Sequence, residues 1–93
     1  MNVQHDQQET QGKFYVEENG DQVAIMTYKL NAGNIIIEHT TVDESLRGKN
    51  VGAQLVKEGV KFARDKKMKI IPVCTYAKRV LERGEEYKDV LAS

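Results

Sequence analysis

The chain has 93 residues and a mass of 10.6 kDa, which suits one domain with a single core and excludes a multidomain enzyme. Hydrophobic residues make up 40% and charged residues 30%, a balance typical of a folded protein rather than a disordered one. The formal net charge is zero, which argues against binding to nucleic acid or to an anionic membrane through bulk charge.

The two halves of the chain carry opposite charge. Residues 1–46 contain two basic and eight acidic residues, a net charge of −6, whereas residues 47–93 contain twelve basic and six acidic residues, a net charge of +6. The second half can therefore meet a local anion such as a phosphate group. Complementary packing of the two halves is the alternative explanation.

The sequence has few features that indicate a compartment. Its one cysteine, Cys74, cannot form an internal disulfide, and no apolar run reaches the roughly 18–20 residues of a membrane span. The first residues contain no basic segment followed by an apolar one, so no signal peptide is expected. These features predict a cytoplasmic protein.

The first third of the domain is predicted to be β-structure. Residues 1–12 are rich in glutamine and are predicted to form a flexible lead-in or part of an edge strand, with His5 unstructured. The domain itself is placed at residues 13–93. Turn residues at Asn19-Gly20 and Ala32-Gly33 separate β-branched and aromatic runs. The predicted strands contain Phe14–Val16, Val23–Leu30 and Ile35–Val42.

The remainder alternates between helix and strand. Apolar residues at helical spacing predict a helix to about Lys66, with its buried face formed by Val51, Leu55, Val56, Val60 and Ala63. A short buried strand at residues 69–73 follows, then a helix at residues 75–83, and residues 85–91 are predicted to add a helical turn or two. This order predicts an α/β sandwich with a mixed sheet of about four strands, three antiparallel and one parallel, and two or three helices.

The loop before the first predicted helix carries the clearest functional signal. The sequence Arg47-Gly48-Lys49-Asn50-Val51-Gly52-Ala53 joins basic residues and glycines to a helix N-terminus, where unpaired N–H groups and the helix dipole attract phosphate. It is neither a dinucleotide fingerprint nor a Walker loop. Gly48 and Gly52 can alternatively serve turn geometry and close packing.

Residues 42–55 resemble the acetyl-coenzyme A signature of the GNAT N-acetyltransferase superfamily. Arg47 and Gly52 match this signature, and Asn50 replaces a usual glycine, a change that a left-handed backbone tolerates. Residues 38–40 and 71–78 are similar to the small, single-domain YjdJ-like branch of that superfamily. The resemblance extends over about residues 14–91 and implies a minimal GNAT-like fold.

The resemblance implies that acetyl-coenzyme A binds as acetyl donor, with no metal. In this family two central strands splay apart around the pantetheine arm, and Pro72 fits such a site because it has no N–H to pair. Lys78 is included as a candidate for the adenine 3′-phosphate, as is Arg79. The expected cofactor-binding residues are Thr41, Val42, Arg47, Gly48, Lys49, Asn50, Val51, Gly52, Ala53 and Lys78.

Cys74 and His39 are the candidate catalytic residues. Cys74 ends the last predicted strand, where a helix N-terminus and Lys78 favour its thiolate, and Pro-x-Cys-x-Tyr/Phe-Ala is a feature of the YjdJ-like branch. His39 would be the general base for either Cys74 or an amine, and strand alternation places Glu38 on the opposite face. The alternatives are a small core cysteine and a histidine satisfied within the sheet.

The expected activity is transfer of an acetyl group to an amine, directly or through a Cys74 thioester. The chain lacks the helices that usually follow the first strand of this family and its final β-hairpin, which wall in the acceptor. An open acceptor site suits an exposed amine on a macromolecule such as a protein. The alternatives are a non-catalytic acyl-coenzyme A binding module and a thiol-based redox sensor. We expect a monomer or a weak homodimer, with no nucleic acid or membrane partner.

Overall fold

A computed structural model describes residues 2–92, so Met1 of the predicted lead-in and Ser93 of the predicted domain lie outside the described residues. The strands are β1 (Gln4–Gln7), β2 (Gln11–Glu18), β3 (Asp21–Asn31), β4 (Asn34–Val42) and β5 (Lys69–Pro72). The helices are α1 (Val51–Lys66) and α2 (Thr75–Glu82), and a short 3₁₀ helix covers Glu44–Leu46. No helix within residues 2–92 is long and apolar enough to cross a membrane.

The strands form one mixed sheet in the order β1-β2-β3-β4-β5. The first four strands pair antiparallel, and α1 then carries the chain across to β5, which pairs parallel to β4. Tight turns join the central hairpins because Asn19, Gly20, Ala32 and Gly33 all adopt the positive φ angles that two-residue hairpin turns require. The predicted arrangement of antiparallel strands followed by a parallel one is confirmed.

The structure adds a fifth strand at the N-terminal edge of the sheet. β1 lies within the segment predicted as a lead-in or part of an edge strand, and it pairs antiparallel with β2. The prediction that His5 is unstructured is wrong. The His5 ring stacks on Phe14 with ring centroids 4.0 Å apart, meets the edge of Phe62, and has Nε2 2.5 Å from the Tyr28 hydroxyl oxygen. Aromatic contacts therefore hold this short polar strand in place.

Both helices pack with one face of the sheet to form a single core. Residues of β3 and β4 alternate between that helix face and a second face, the helix-free face, which carries Ile25, Thr27 and Ile36. None of these three is fully buried. The predicted apolar face of α1 is confirmed. The core contains Phe14, Val16, Ala24, Met26, Tyr28, Ile35 and Ile37 from the sheet and Val51, Leu55, Val56, Val60 and Ala63 from α1.

The segment after α2 covers part of the outer edge of β5. Residues 85–91, predicted to add a helical turn or two, form hydrogen-bonded turns, in which the Leu91 N–H donates to the Tyr87 carbonyl four residues earlier, and end in a parallel bridge between Leu91 and Ile70. Both Asp89 carboxylate oxygens accept hydrogen bonds from the Arg64 guanidinium at 2.9 Å. Backbone pairing and this ion pair together fix the segment, which local helical propensity alone could not do.

The environment of His5 predicts a pH dependence of stability. Burial lowers the pKa of His5 from its ordinary value of 6.5, an effect that Asp6 partly opposes. Because the unfolded chain then binds a proton more readily than the folded chain, the free energy of unfolding falls as the pH drops below about 6.5. We expect urea unfolding between about pH 8 and about pH 5.5 to show a smaller loss of stability in His5→Phe than in the wild type. Equal losses would contradict this assignment.

Candidate functional site

β4 and β5 separate halfway along β4 and leave a cleft between them. Their pairing ends where Ile37 meets Pro72, and the Ile37 carbonyl accepts hydrogen bonds from the N–H groups of Val73 at 2.9 Å and Cys74 at 3.0 Å. β4 continues to Val42, whereas the segment after β5 turns away from β4 into α2. The second half of β4 therefore has a cleft-facing edge that β5 does not cover.

The register of β4 shows which backbone groups face this cleft. Asp43 donates its N–H to the Val23 carbonyl, and Thr41 pairs with Ile25, so the backbone groups of Thr41 point toward β3. Alternation then turns the backbone groups of Thr40 and Val42 toward the cleft. Of the two positions predicted to contact pantetheine, Val42 presents its backbone to the cleft, whereas the backbone of Thr41 is used within the sheet.

The predicted phosphate loop lies at the same end of the cleft. Gly48 and Asn50 have left-handed backbones, with φ of +83° and +60°. Asn50 therefore adopts the left-handed conformation that asparagine was expected to tolerate in place of glycine. The first helical hydrogen bond of α1 runs from the Gln54 N–H to the Asn50 carbonyl. The N–H groups of Val51, Gly52 and Ala53 therefore have no acceptor in the preceding turn. Those groups can hold an anion, beside the exposed side chains of Arg47 and Lys49.

Gly52 also allows α1 and α2 to approach each other closely. A Cβ atom at this position would lie 2.6 Å from the Tyr76 hydroxyl oxygen, too close for any real contact. The Tyr76 ring thus covers the start of α1, and with Val42 and the phosphate loop it lines a cavity of about 230 Å³. The packing explanation for Gly52 is therefore confirmed, and its role in anion binding stays a prediction. Lys78 is exposed in the same first turn of α2.

Cys74 lies in the cleft at the start of α2. Its Sγ is 3.4 Å from the Thr40 hydroxyl oxygen, and the sulfur is partly buried. Burial raises the pKa of the thiol, but hydrogen bonding from Thr40 and from the backbone N–H groups of Ala77 and Tyr76 outweighs burial, and the net pKa is lowered. The surroundings of the sulfur thus favour a thiolate, which is the nucleophilic form of cysteine.

Glu38 and His39 lie on the helix-free face. His39 pairs with Thr27 and Ile37 pairs with Tyr28, so Glu38 is an extra residue in a β-bulge. The predicted placement of Glu38 and His39 on opposite faces is wrong, because the bulge interrupts the alternation. Glu38 also forms an ion pair of 3.4 Å with Lys29.

The structure does not pair the two candidate catalytic residues with each other. The hydrogen-bond partner of Cys74 is Thr40, whereas His39 is exposed on the other face of β4. Thr40 was missed by the sequence interpretation because a contact across 34 residues leaves no local pattern. Within residues 2–92, no group of three or more His, Cys, Asp or Glu side chains is placed to hold a metal ion.

A family model described as a GCN5-related N-acetyl-transferase matches residues 13–90 of the chain. The chain belongs to this family. The matched residues include the three segments that carry the sequence resemblance to the GNAT superfamily, namely residues 38–40, 42–55 and 71–78. The narrower resemblance to the YjdJ-like branch stays a prediction.

Known structures show the same fold. A GCN5-like protein from Staphylococcus aureus, solved by NMR, is 35% identical with a TM-score of 0.73, and the match covers 99% of this chain and 90% of that one. The ribosomal-protein-S18-alanine N-acetyltransferase of Escherichia coli is 15% identical with a TM-score of 0.68, over 83% of this chain and 53% of that one.

A third neighbour was solved with acetyl coenzyme A bound. This Bacillus anthracis protein is 19% identical with a TM-score of 0.63, over 78% of this chain and 47% of that one. The GNAT chain therefore spans nearly all of the staphylococcal protein but only about half of the larger neighbours. A search of curated proteins found no match.

The contact between α1 and α2 can be tested by a double-mutant cycle. We expect Gly52→Ala to stabilise the GNAT chain by about 0.5–1 kcal/mol in a Tyr76→Ala background, because alanine favours helix. In the wild-type background the Tyr76 ring must move, so this gain is lost. Thermal and urea unfolding measure both effects.

Ala53→Gly, which reverses the exchange at the next position, is the matched control and should cost about 0.5–1 kcal/mol in both backgrounds. A Gly52→Ala gain that does not depend on Tyr76 would contradict the contact.

Proposed function

We propose that this chain binds acetyl-coenzyme A and transfers the acetyl group to an amine. The observation that carries this proposal is that the loop before α1 lines a cavity with Val42 and Tyr76, while Cys74, two residues before Tyr76, contacts Thr40, two residues before Val42. An acetyl donor with a pyrophosphate at one end and a thioester at the other suits a cleft of this kind. Family membership and the bound acetyl coenzyme A of a neighbour support the proposal.

The donor is held mainly by backbone groups. The free N–H groups of Val51, Gly52 and Ala53 donate hydrogen bonds to the pyrophosphate oxygens, and Arg47 neutralises the charge of the pyrophosphate. The cleft-facing backbone of Val42 is placed to pair with the amides of the pantetheine arm, as a missing strand would. Lys78 is the candidate for the adenine 3′-phosphate. The residues present therefore fit acetyl-coenzyme A along the length of the cleft.

The favoured route of transfer is covalent. The Cys74 thiol first loses its proton to water, and the thiolate attacks the thioester carbonyl carbon. A new bond forms between that carbon and the Cys74 sulfur, the original carbon–sulfur bond breaks, and coenzyme A leaves as a thiolate that takes up a proton. An acceptor amine then attacks the acetyl-Cys74 carbonyl carbon and forms the carbon–nitrogen bond. The nitrogen gives up its extra proton to water, and the bond between the acetyl carbon and the Cys74 sulfur breaks to release the amide and the Cys74 thiolate.

The acceptor amine approaches from the helix-free face. An ammonium must lose a proton before it can attack, and His39 is the candidate base for that step, with Glu38 beside it on the same face. A groove of about 350 Å³ extends from Glu38 across the sheet to Asp6 on β1. Because no helix of residues 2–92 covers this face, an amine exposed on a macromolecule can reach the base.

The donor site can be tested by charge reversal at one end of α1. We expect Arg47→Glu to raise the Kd for coenzyme A about tenfold to a hundredfold in calorimetric titration, because one charge-assisted hydrogen bond is replaced by repulsion. Lys66→Glu makes the same charge change at the other end of the helix and should shift the Kd by less than about threefold. Equal effects of both variants would contradict a local phosphate site.

The covalent route can be tested by intact-protein mass spectrometry after mixing with acetyl-coenzyme A. We expect an acetyl adduct that hydroxylamine removes, as it does a thioester, and that is absent in Cys74→Ala. In His39→Ala the adduct should form but should pass to an amine more slowly, about a hundredfold, the range for loss of a general base. Binding of coenzyme A without an adduct would exclude the covalent route and leave direct transfer or a non-catalytic acyl-coenzyme A module.

A further inference from the structure

Thr40 is the only residue of the sheet whose side chain hydrogen-bonds to Cys74 among residues 2–92. It lies on β4 opposite Met26, which places its side chain on the helix face, the side on which α2 begins. Its hydroxyl oxygen is 3.4 Å from the Cys74 sulfur, and its own backbone N–H faces the cleft. Thr40 thus contacts the sulfur with its side chain, and its backbone faces the same cleft.

We propose that Thr40 is a positioning residue that holds the Cys74 sulfur in the cleft and stabilises its thiolate, an inference that rests on the proposed function of Cys74. The Thr40 hydroxyl accepts a hydrogen bond from the neutral thiol. When the thiol loses its proton to water, the hydroxyl rotates and donates to the sulfur instead. The hydroxyl itself neither gains nor loses a proton in this exchange.

The thiolate is stabilised from two sides. Thr40 acts from the sheet through its hydroxyl, 3.4 Å from the sulfur, and the backbone N–H groups of Tyr76 and Ala77 in the first turn of α2 also lower the pKa of the thiol. A charge-assisted hydrogen bond in a partly buried site is stronger than a neutral one, so its removal should raise the pKa of the thiol.

This arrangement separates the activation of Cys74 from His39. Because His39 lies on the helix-free face, the thiolate forms without an imidazole as its partner. His39 then remains available to take the proton of the acceptor amine. The sheet thus divides the two steps between neighbouring residues of β4, with Thr40 serving the sulfur on one face and His39 serving the amine on the other.

The test measures the rate of Cys74 alkylation by iodoacetamide as a function of pH, with no acetyl-coenzyme A present. Thr40→Val removes the hydroxyl and keeps the shape, and we expect it to move the midpoint of the profile to higher pH and to slow alkylation about tenfold near neutral pH. Thr40→Ser restores the hydroxyl and should alkylate within about threefold of the wild type. Circular dichroism and thermal unfolding establish that each variant is folded.

Thr27→Val is the matched control. Thr27 lies on the neighbouring strand, and its hydroxyl has no hydrogen-bond partner in the part of the chain that the structure describes. The same substitution there should leave the alkylation profile unchanged. Thr40→Ala, which removes the same hydroxyl with a smaller side chain, provides a second comparison if Thr40→Val unfolds.

An alkylation profile that is unchanged in both Thr40→Val and Thr40→Ala would overturn the inference. So would a profile that moves in His39→Gln and not in the Thr40 variants. The proposed function is separately at risk in the acetyl-adduct experiment, because alkylation requires no acetyl donor. If both hold, Thr40→Val should slow formation of the acetyl adduct about tenfold while the Kd for coenzyme A stays within about twofold of the wild type.

Discussion

The functional architecture depends on the Ile37 carbonyl, which accepts hydrogen bonds from both Val73 and Cys74 and marks the last contact between β4 and β5. Pro72, directly before them, has no N–H with which to extend the ladder. Beyond this point the first segment continues as β4, and the segment that follows β5 turns into α2. The cleft, the free edge at Thr40 and Val42, and the position of the thiol all follow from this separation.

The second half of β4 serves two different environments because it lacks a partner on one side. On one side, the Thr40 side chain contacts Cys74 at the start of α2, and the free edge of the strand borders the cleft. On the other side, the bulge at Glu38 keeps His39 on the helix-free face. Under the proposed function, donor and acceptor would approach this strand from different directions and would not compete for one pocket.

The parts of the structure that local sequence patterns govern were predictable. Helical spacing identified α1, hairpin turn residues located the central strands, and the left-handed backbone at Asn50 followed from the side chain that stands there. The bulge at Glu38 was not predictable, since the polar sequence around it fits either face equally well. The pairing of Thr40 with Cys74 depends on how the crossover places β5, and the anchoring of His5 depends on three aromatic rings distant in sequence. Both are products of tertiary structure, on which single-residue patterns carry no information.

The bridge between Leu91 and Ile70 affects how the sheet behaves toward other copies of the chain. An uncovered strand edge is a template on which further strands can add, and this is a route to aggregation. Residues 90–92 occupy the outer edge of β5, and the opposite edge is formed by β1, whose four residues are all polar or charged. Deletion of residues 90–92 would expose an apolar strand edge to intermolecular β-pairing. The protein would therefore lose solubility even if the cleft between β4 and β5 stayed intact.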